Sequence, residues 1–186
     1  MTERGTSEPP DAALVVAARA GDEAAFARLM MRHHAGCLRF ARHQLGDPVE
    51  AEDIVQDTFI RAYRALGRYH ERDGFRSWLF RILVNRCRSF ARRRQRRRER
   101  FVRDDAALER ATTADGAANA AIARRLEHAL DGLKAEYREA FLLRVGEELD
   151  YAEMARITGA SEAALRMRVK RARDHVRARW GSDGRV

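Results

Sequence analysis

Apolar residues in this chain return every three or four positions over almost its whole length, and that spacing belongs to the α-helix. The alternating β-branched runs that a half-buried strand needs are almost absent. Where the spacing breaks, helix-end chemistry stands at the break. "GDP" at 46–48 offers Asp47 as an N-cap and Pro48 at the first helical position, with Glu50 completing a start like a capping box. Asp150 and Glu153 repeat that arrangement, Gly159 permits a tight turn, and Ser161 caps the helix that follows. The expected fold class is all-α.

The periodic segments fall into two groups. In the first, Phe26, Met30, His33 and Cys37 share an inward stripe that continues through Leu38, Ala41 and Leu45. A helix from Pro48 to about Leu66 follows, then the polar loop "YHERDG". A fourth helix turns Phe75, Trp78, Leu79, Ile82, Leu83, Cys87 and Phe90 inward. After Arg100 the composition becomes small, polar and partly acidic ("DDAALERATTADGAANAA"), the character of a linker or weak helix. The second group begins near Ile122 with Leu126, Leu130 and Leu133, and Gly146 ends "KAEYREAFLLRVG". Two capped helices around Gly159 then form a helix-turn-helix signature, although an ordinary helical hairpin shares much of it. The expected organisation is a disordered N-terminus over 1–10, a domain over 11–95, a flexible linker over 96–121, a second domain over 122–180 and a tail over 181–186.

Lys and Arg number 37 against 28 Asp and Glu, a net charge of +9 that favours polyanionic partners. No apolar run approaches the roughly 18 residues of a membrane span, and "MTERGTSEPPDAAL" lacks the pattern of a signal peptide, so membrane insertion is not expected. Cys37 and Cys87 both lie on inward faces and are expected to be buried free thiols. His33, His34, Cys37 and His43 raise the question of a metal, but His33 and Cys37 belong to the inward stripe and the spacing is not that of a zinc site. There is no glycine-rich phosphate loop, and "HERD" pairs no acid with a base. Neither a catalytic centre nor a cofactor is expected.

Three outward stripes carry the functional signal. Opposite the core face of the 48–66 helix lie Asp53, Gln56, Asp57, Ile60 and Arg64. A solvated face is the plain alternative, yet two carboxylates lead this stripe in a basic chain, and an isoleucine with no core to enter sits among polar neighbours. That suits a protein contact. On the fourth helix Arg81, Asn85, Arg88 and Arg92 align, and "SFARRRQRRRER" extends them with seven arginines in the nine positions 92–100. Guanidinium forks bind phosphates bidentately and an Asn can reach a base edge, so a nucleic-acid groove fits better than a loose tail or a localisation signal. On the last helix Ala163, Arg166, Met167, Lys170 and Arg171 face away from the stripe Leu165, Val169, Ala172 and Val176. Arg166 and Met167 are candidate base readers, with Lys170, Arg171 and Arg173 as candidate phosphate anchors.

"DPVEAEDIVQDTFIRAYRAL", "FRSWLFRILVNRCRSFARRR" and "LDYAEMARITGASEAALRMRVKRAR", in that order, resemble the bacterial extracytoplasmic-function sigma factors over about residues 11–180. The resemblance implies two helical domains, a region 2-like bundle and a region 4-like helix-turn-helix, that bind core RNA polymerase and the promoter −10 and −35 elements. It assigns polymerase docking to Asp53, Gln56, Asp57, Ile60 and Arg64. It assigns the −10 DNA to Tyr69, His70, Arg72, Arg76, Arg81, Asn85, Arg88 and Arg92, with an unstacked base held in the 69–74 loop. The −35 DNA falls to Ser161, Ala164, Arg166, Met167, Arg168, Lys170 and Arg171. Ala164 and Met167 stand where family members often carry Thr or Ser, a departure at the reading tip. The resemblance further implies a bacterial cytoplasmic protein, no catalysis of its own, and in many family members an anti-sigma factor as a third partner. Two rival readings remain at this point: a dimeric helix-turn-helix regulator acting on duplex DNA alone, which leaves the Asp53 stripe unexplained, and a small helical enzyme built on the histidines of the first domain.

Overall fold

The computed structural model describes residues 8–70, 74–101 and 125–182, and among these the only regular elements are helices. The first domain contains α1 (Asp11–Arg19), α2 (Glu23–Leu45), α3 (Pro48–Ala65), a 3-10 turn (Leu66–Arg68) and α4 (Phe75–Phe101). The second contains α5 (helical at 125–130), α6 (Ala135–Phe141) running into a π-helical turn (Leu142–Gly146), α7 (Tyr151–Thr158) and α8 (Glu162–Ser182). The expected linker lies mostly outside the described residues, as do residues 1–7 and 183–186.

Caps set the helix boundaries. Asp22 accepts the amide of Ala25 at 3.0 Å and starts α2, while Gly46, at φ 70°, ends it in the left-handed conformation that lets the chain reverse. Asp47 accepts the amides of Val49 and Glu50 at 3.1 and 3.2 Å, ahead of Pro48. In the second domain the reciprocal box is complete. Asp150 accepts the Glu153 amide at 2.7 Å, and Glu153 accepts the Asp150 amide at 3.1 Å. Gly159, at φ 74°, then swings the chain into α8, where Ser161 Oγ accepts the amide of Ala164 at 3.3 Å.

The core is continuous through both domains. Leu29, Cys37, Phe40, Ala51, Val55, Phe59, Leu79 and Leu83 fill the space between α2, α3 and α4, with Phe40 and Phe80 edge to face at 5.8 Å. Leu130, Leu143, Leu149, Met154, Leu165, Val169 and Ala172 fill the second domain. The two meet because α7 packs along α4 while α6 and its π-turn reach α2. With neighbours on more than one side, α4 buries Phe80 and Val84 along with Phe75, Leu79, Leu83 and Cys87, while Trp78, Ile82 and Phe90 are partly buried against the core.

Two expectations are corrected. Residues 8–10 belong to the ordered body rather than to a disordered N-terminus, because the Arg32 guanidinium donates to the carbonyl of Pro9 at 2.9 Å and pairs with Glu8 at 3.0 Å. Asp11 is also held by Arg32, at 2.5 Å, and by His33, at 2.7 Å. The expected domain boundary at residue 95 falls inside α4, which continues through Phe101, so the arginine run at 92–100 is part of the helix.

Candidate nucleic-acid and polymerase interfaces

The face of α3 opposite the core is open. Asp53, Gln56, Arg64 and Ile60 are exposed, Ile60 by 43%, while Phe59 beside it is buried. More than half of Ile60 is covered within the molecule, and the remaining 43% faces outward, as the helical phase required. Asp57 differs from its neighbours. It accepts from Arg61 at 2.8 Å, one turn along, and pairs with Arg86 from α4. Burial pushes its carboxyl up, but the Arg61 hydrogen bond and the Arg86 charge outweigh that and hold it below the ordinary carboxylate range. Asp57 thus pins α3 to α4 as well as facing outward, a tie that spacing within one helix does not reveal.

The −10 candidates divide three ways. His70, Asn85 and Arg92 are exposed, Arg92 with a 3.3 Å contact to Ser89, and Arg72 lies outside the described residues. Tyr69, the first residue of the 69–74 loop expected to hold an unstacked base, is buried. It is 3% exposed, packed edge-on against Trp78 at 5.1 Å and Phe75 at 6.2 Å, because the 3-10 turn after α3 folds it back onto the start of α4. Arg76, Arg81 and Arg88 point into the second domain. Arg76 donates to the Glu147 carboxylate at 2.9 Å and to the Glu147 carbonyl at 2.8 Å. Arg81 donates to the carbonyl of Arg156 at 3.1 Å. Arg88 forks onto both carboxylate oxygens of Glu139 at 2.7 and 2.8 Å and reaches the carbonyl of Thr158 at 3.1 Å. The basic stripe is present, and half of it is in use within the molecule.

On α8, Arg166, Met167, Lys170 and Arg171 are exposed together at the N-terminal half of the helix, and Met167 is 52% exposed. Arg166 stacks over Tyr151 at 5.0 Å and pairs with Glu162 at 2.7 Å, which holds its fork at the tip of the turn. Arg171 donates to the Tyr137 hydroxyl at 2.8 Å. Ser161 serves as the cap of α8, and Ala164 is half buried. Arg168 departs from the group, since it turns to the side and pairs with Glu136 of α6 at 3.0 Å. Four residues at the interface between the domains were not singled out from the sequence: Gly36, Arg39, Glu139 and Glu147. Their only sequence signal is Gly36, a glycine inside a helix; the burial of the two glutamates is seen only in the fold.

Both cysteines are buried free thiols, pushed up to about 12 chiefly by burial, which leaves them protonated and inert. Among the described residues no group of His, Cys, Asp and Glu is placed to hold a metal, and no helix is long and apolar enough to cross a membrane. His33 is spoken for by Asp11 and packs on Phe75.

Comparison with known proteins agrees with this geometry. Residues 29–97 match the family model of Sigma-70 region 2, and residues 123–176 match that of Sigma-70, region 4. The RNA polymerase sigma factor NccH of Alcaligenes xylosoxydans xylosoxydans is 34% identical over 178 residues, covering 93% of this chain and 96% of the relative. The ECF RNA polymerase sigma factor SigM of Mycobacterium tuberculosis is 34% identical over 91% of this chain and 84% of its own. Among solved structures, CnrH in complex with the cytosolic domain of CnrY superposes with a TM-score of 0.72 at 29% identity, covering 94% of this chain and 99% of that one. The sigma factor RpoE of Bartonella quintana, solved with the anti-sigma factor NepR, gives 0.73 at 26% identity over 85% and 98%. Two region models in the order that the helices require, and relatives matched nearly end to end, place the chain among the extracytoplasmic-function sigma factors of the sigma-70 family.

Proposed function

We propose that the α3 stripe of Asp53, Gln56, Asp57, Ile60 and Arg64 docks this sigma factor on core RNA polymerase, and that α4 and α8 carry its promoter contacts. One observation supports the reading most directly. A single bundle presents an acidic and apolar stripe on α3 and an arginine-lined rod on α4, two surfaces of opposite sign with no common use in a stand-alone DNA binder. His70, in the loop before α4, and Arg76, Arg81, Asn85, Arg88 and Arg92 of α4 approach the −10 DNA, whose local unstacking costs a few kcal/mol per step and is offset by base and phosphate contacts. On α8, Arg166 and Met167 meet base edges of the −35 element while Lys170 and Arg171 hold phosphates. Ala164 and Met167 give this reader apolar contacts where hydroxyls are common in the family, so recognition leans on arginine and on contact with thymine methyl groups. The protein performs no chemistry itself. By similarity to CnrH and RpoE, whose solved structures contain CnrY and NepR, a proteinaceous anti-sigma factor regulates this chain too.

Transcription from a library of promoter fragments, with core polymerase in the presence and absence of the protein, tests the reading. Initiation from a subset of fragments only when the protein is added is the expected result. Sequence-specific binding without polymerase, and no stimulation with it, would replace the reading by that of a free-standing regulator.

A further inference from the structure

The far end of α4 belongs to neither core. Phe90 is its last residue packed against the interior, yet the helix runs on to Phe101, about 16 Å further at 1.5 Å per residue. From Ala91 to Arg100 every described side chain is exposed except Arg94, which is half-buried. Seven of the nine residues 92–100 are arginine, and the one acid among them, Glu99, already accepts from Gln95 at 2.8 Å. Elsewhere the arginines find carboxylates: Arg32, Arg39, Arg42, Arg61, Arg76 and Arg88 are all ion-paired. On this rod, no hydrogen bond or ion pair joins Arg93, Arg94, Arg96, Arg97 or Arg100 to another described residue. Guanidiniums one turn apart, Arg92 with Arg96 and Arg93 with Arg97, repel each other, and a bound polyanion relieves that repulsion.

The placement of charge around the axis tells what shape that polyanion has. At about 100° per residue, Arg92, Arg93, Arg94, Arg96, Arg97 and Arg100 spread over about 200° of the circumference. Ala91, Gln95 and Glu99 form a narrow strip without positive charge on the remaining side. A flat anionic surface, such as a layer of lipid headgroups, meets only one side of a helix. A groove with phosphates on both walls meets more than half of it. The major groove of B-form DNA is about 12 Å wide, and an α-helix with its side chains is about 10–12 Å across. The deep, narrow major groove of A-form RNA does not admit a helix in this way.

We propose that α4 beyond Arg92, from Arg93 to Arg100, is a sequence-independent binding site for duplex DNA, a rod that seats in the major groove between two walls of phosphate, so that the chain holds double-stranded DNA without polymerase. The binding itself needs none of the promoter assignments made above. On a promoter the rod continues α4 past its −10 residues and onto the duplex that borders the opened segment; that placement alone rests on the −10 reading.

The test uses the full chain and a short fluorescent DNA duplex of mixed sequence that contains no promoter, titrated from about 50 to 200 mM salt. R93Q with R96Q and R97Q removes three charges from the rod and keeps a good helix former at each position. R19Q with R28Q and K134Q removes three charges elsewhere and is the charge-matched control. Each phosphate contact contributes about 0.9 to the slope of log affinity against log salt, so the rod variant is expected to lose about 2.7 from the slope and at least about tenfold in affinity at 50 mM salt, beyond any change in the control. R93K with R96K and R97K keeps the charges and is expected to keep the slope. A wild-type chain that does not bind the duplex, a rod variant whose slope matches the control's, or a lysine variant that fails as the glutamine one does would each overturn the proposal. So would equal or tighter binding to an RNA duplex of the same sequence. Promoter-dependent transcription with core polymerase is measured on the same proteins. Duplex binding without transcription removes the sigma-factor reading and leaves the rod site standing, and transcription without duplex binding does the reverse.

Discussion

Phe59 and Ile60 are neighbours on α3 and should fail in opposite ways. Ile60 is 43% exposed. Full burial of an isoleucine side chain is worth about 1.5–3 kcal/mol, so docking against a partner has roughly 0.6–1.3 kcal/mol left to gain from this residue. Truncation to alanine should therefore weaken polymerase binding by about threefold to eightfold. The fold should barely notice, since surface substitutions of this kind usually lie within about 0.5 kcal/mol. Phe59 is 2% exposed, with His34 stacked on it at 6.2 Å. Its truncation leaves a cavity costing about 3–5 kcal/mol, a large part of the total stability of an ordinary domain. The assay is a pair of measurements on each variant: urea unfolding followed by circular dichroism, and titration of labelled protein with core RNA polymerase. Ile60→Ala should keep the wild-type urea midpoint and lose affinity, whereas Phe59→Ala should lose its midpoint first. An Ile60→Ala protein that binds polymerase as well as the wild type, or that unfolds as readily as Phe59→Ala, would refute the assignment of this face.

Other consequences follow from the same contacts. Asp150→Ala removes the acceptor of the Glu153 amide and should destabilise the second domain by about 1 kcal/mol, read from its urea midpoint. Lys170→Ala should lower the slope of log affinity against log salt by about one counterion, equally on all promoters, whereas Arg166→Ala should change which upstream sequences are preferred. His43 is held below its ordinary value by burial first and then by Arg39, Arg138 and Arg42, so the folded state keeps it neutral. Its contribution to stability is then complete above the unfolded value of about 6.5 and is lost as pH falls through the lower folded value. A urea midpoint that drops between pH 7.5 and 5.5, with a smaller drop in His43→Gln, is the expected result.

What the sequence disclosed was what lies within one helix or one turn. The caps at Asp47 and Asp150, the left-handed glycine at 159, and the buried and exposed phases of α3 and α8 are all set by residues no more than a few positions apart, and each stands where the pattern placed it. The contacts that escaped notice join distant segments. Arg88 meets Glu139 across 51 residues, and Arg39 meets Glu147 across 108. Nothing in local spacing distinguishes those two glutamates from solvated ones, and Gly36 gives no sign of its purpose until the carboxylate beside it is seen. The burial of Tyr69 was hidden for a related reason: a tyrosine at the edge of a polar loop looks available, but Trp78 and Phe75 on the next helix enclose it. Three motifs in order sufficed for the family and for the polymerase it serves, which the two region models bear out; the packing between the domains came from side chains alone.

The seam between the domains combines apolar packing with ion pairs that are buried at one end only. Each pair has one buried end and one open end: the glutamates are 3–5% exposed, while the partner arginines Arg39, Arg76 and Arg88 keep 51, 42 and 32% of their side chains in solvent. A pair of that kind gains little over its separated, hydrated ions and is sensitive to salt. Closed, however, each buried carboxylate requires its guanidinium, because a charge left alone in that setting is strongly penalised. The ion pairs of the seam therefore act together with its apolar contacts rather than in place of them.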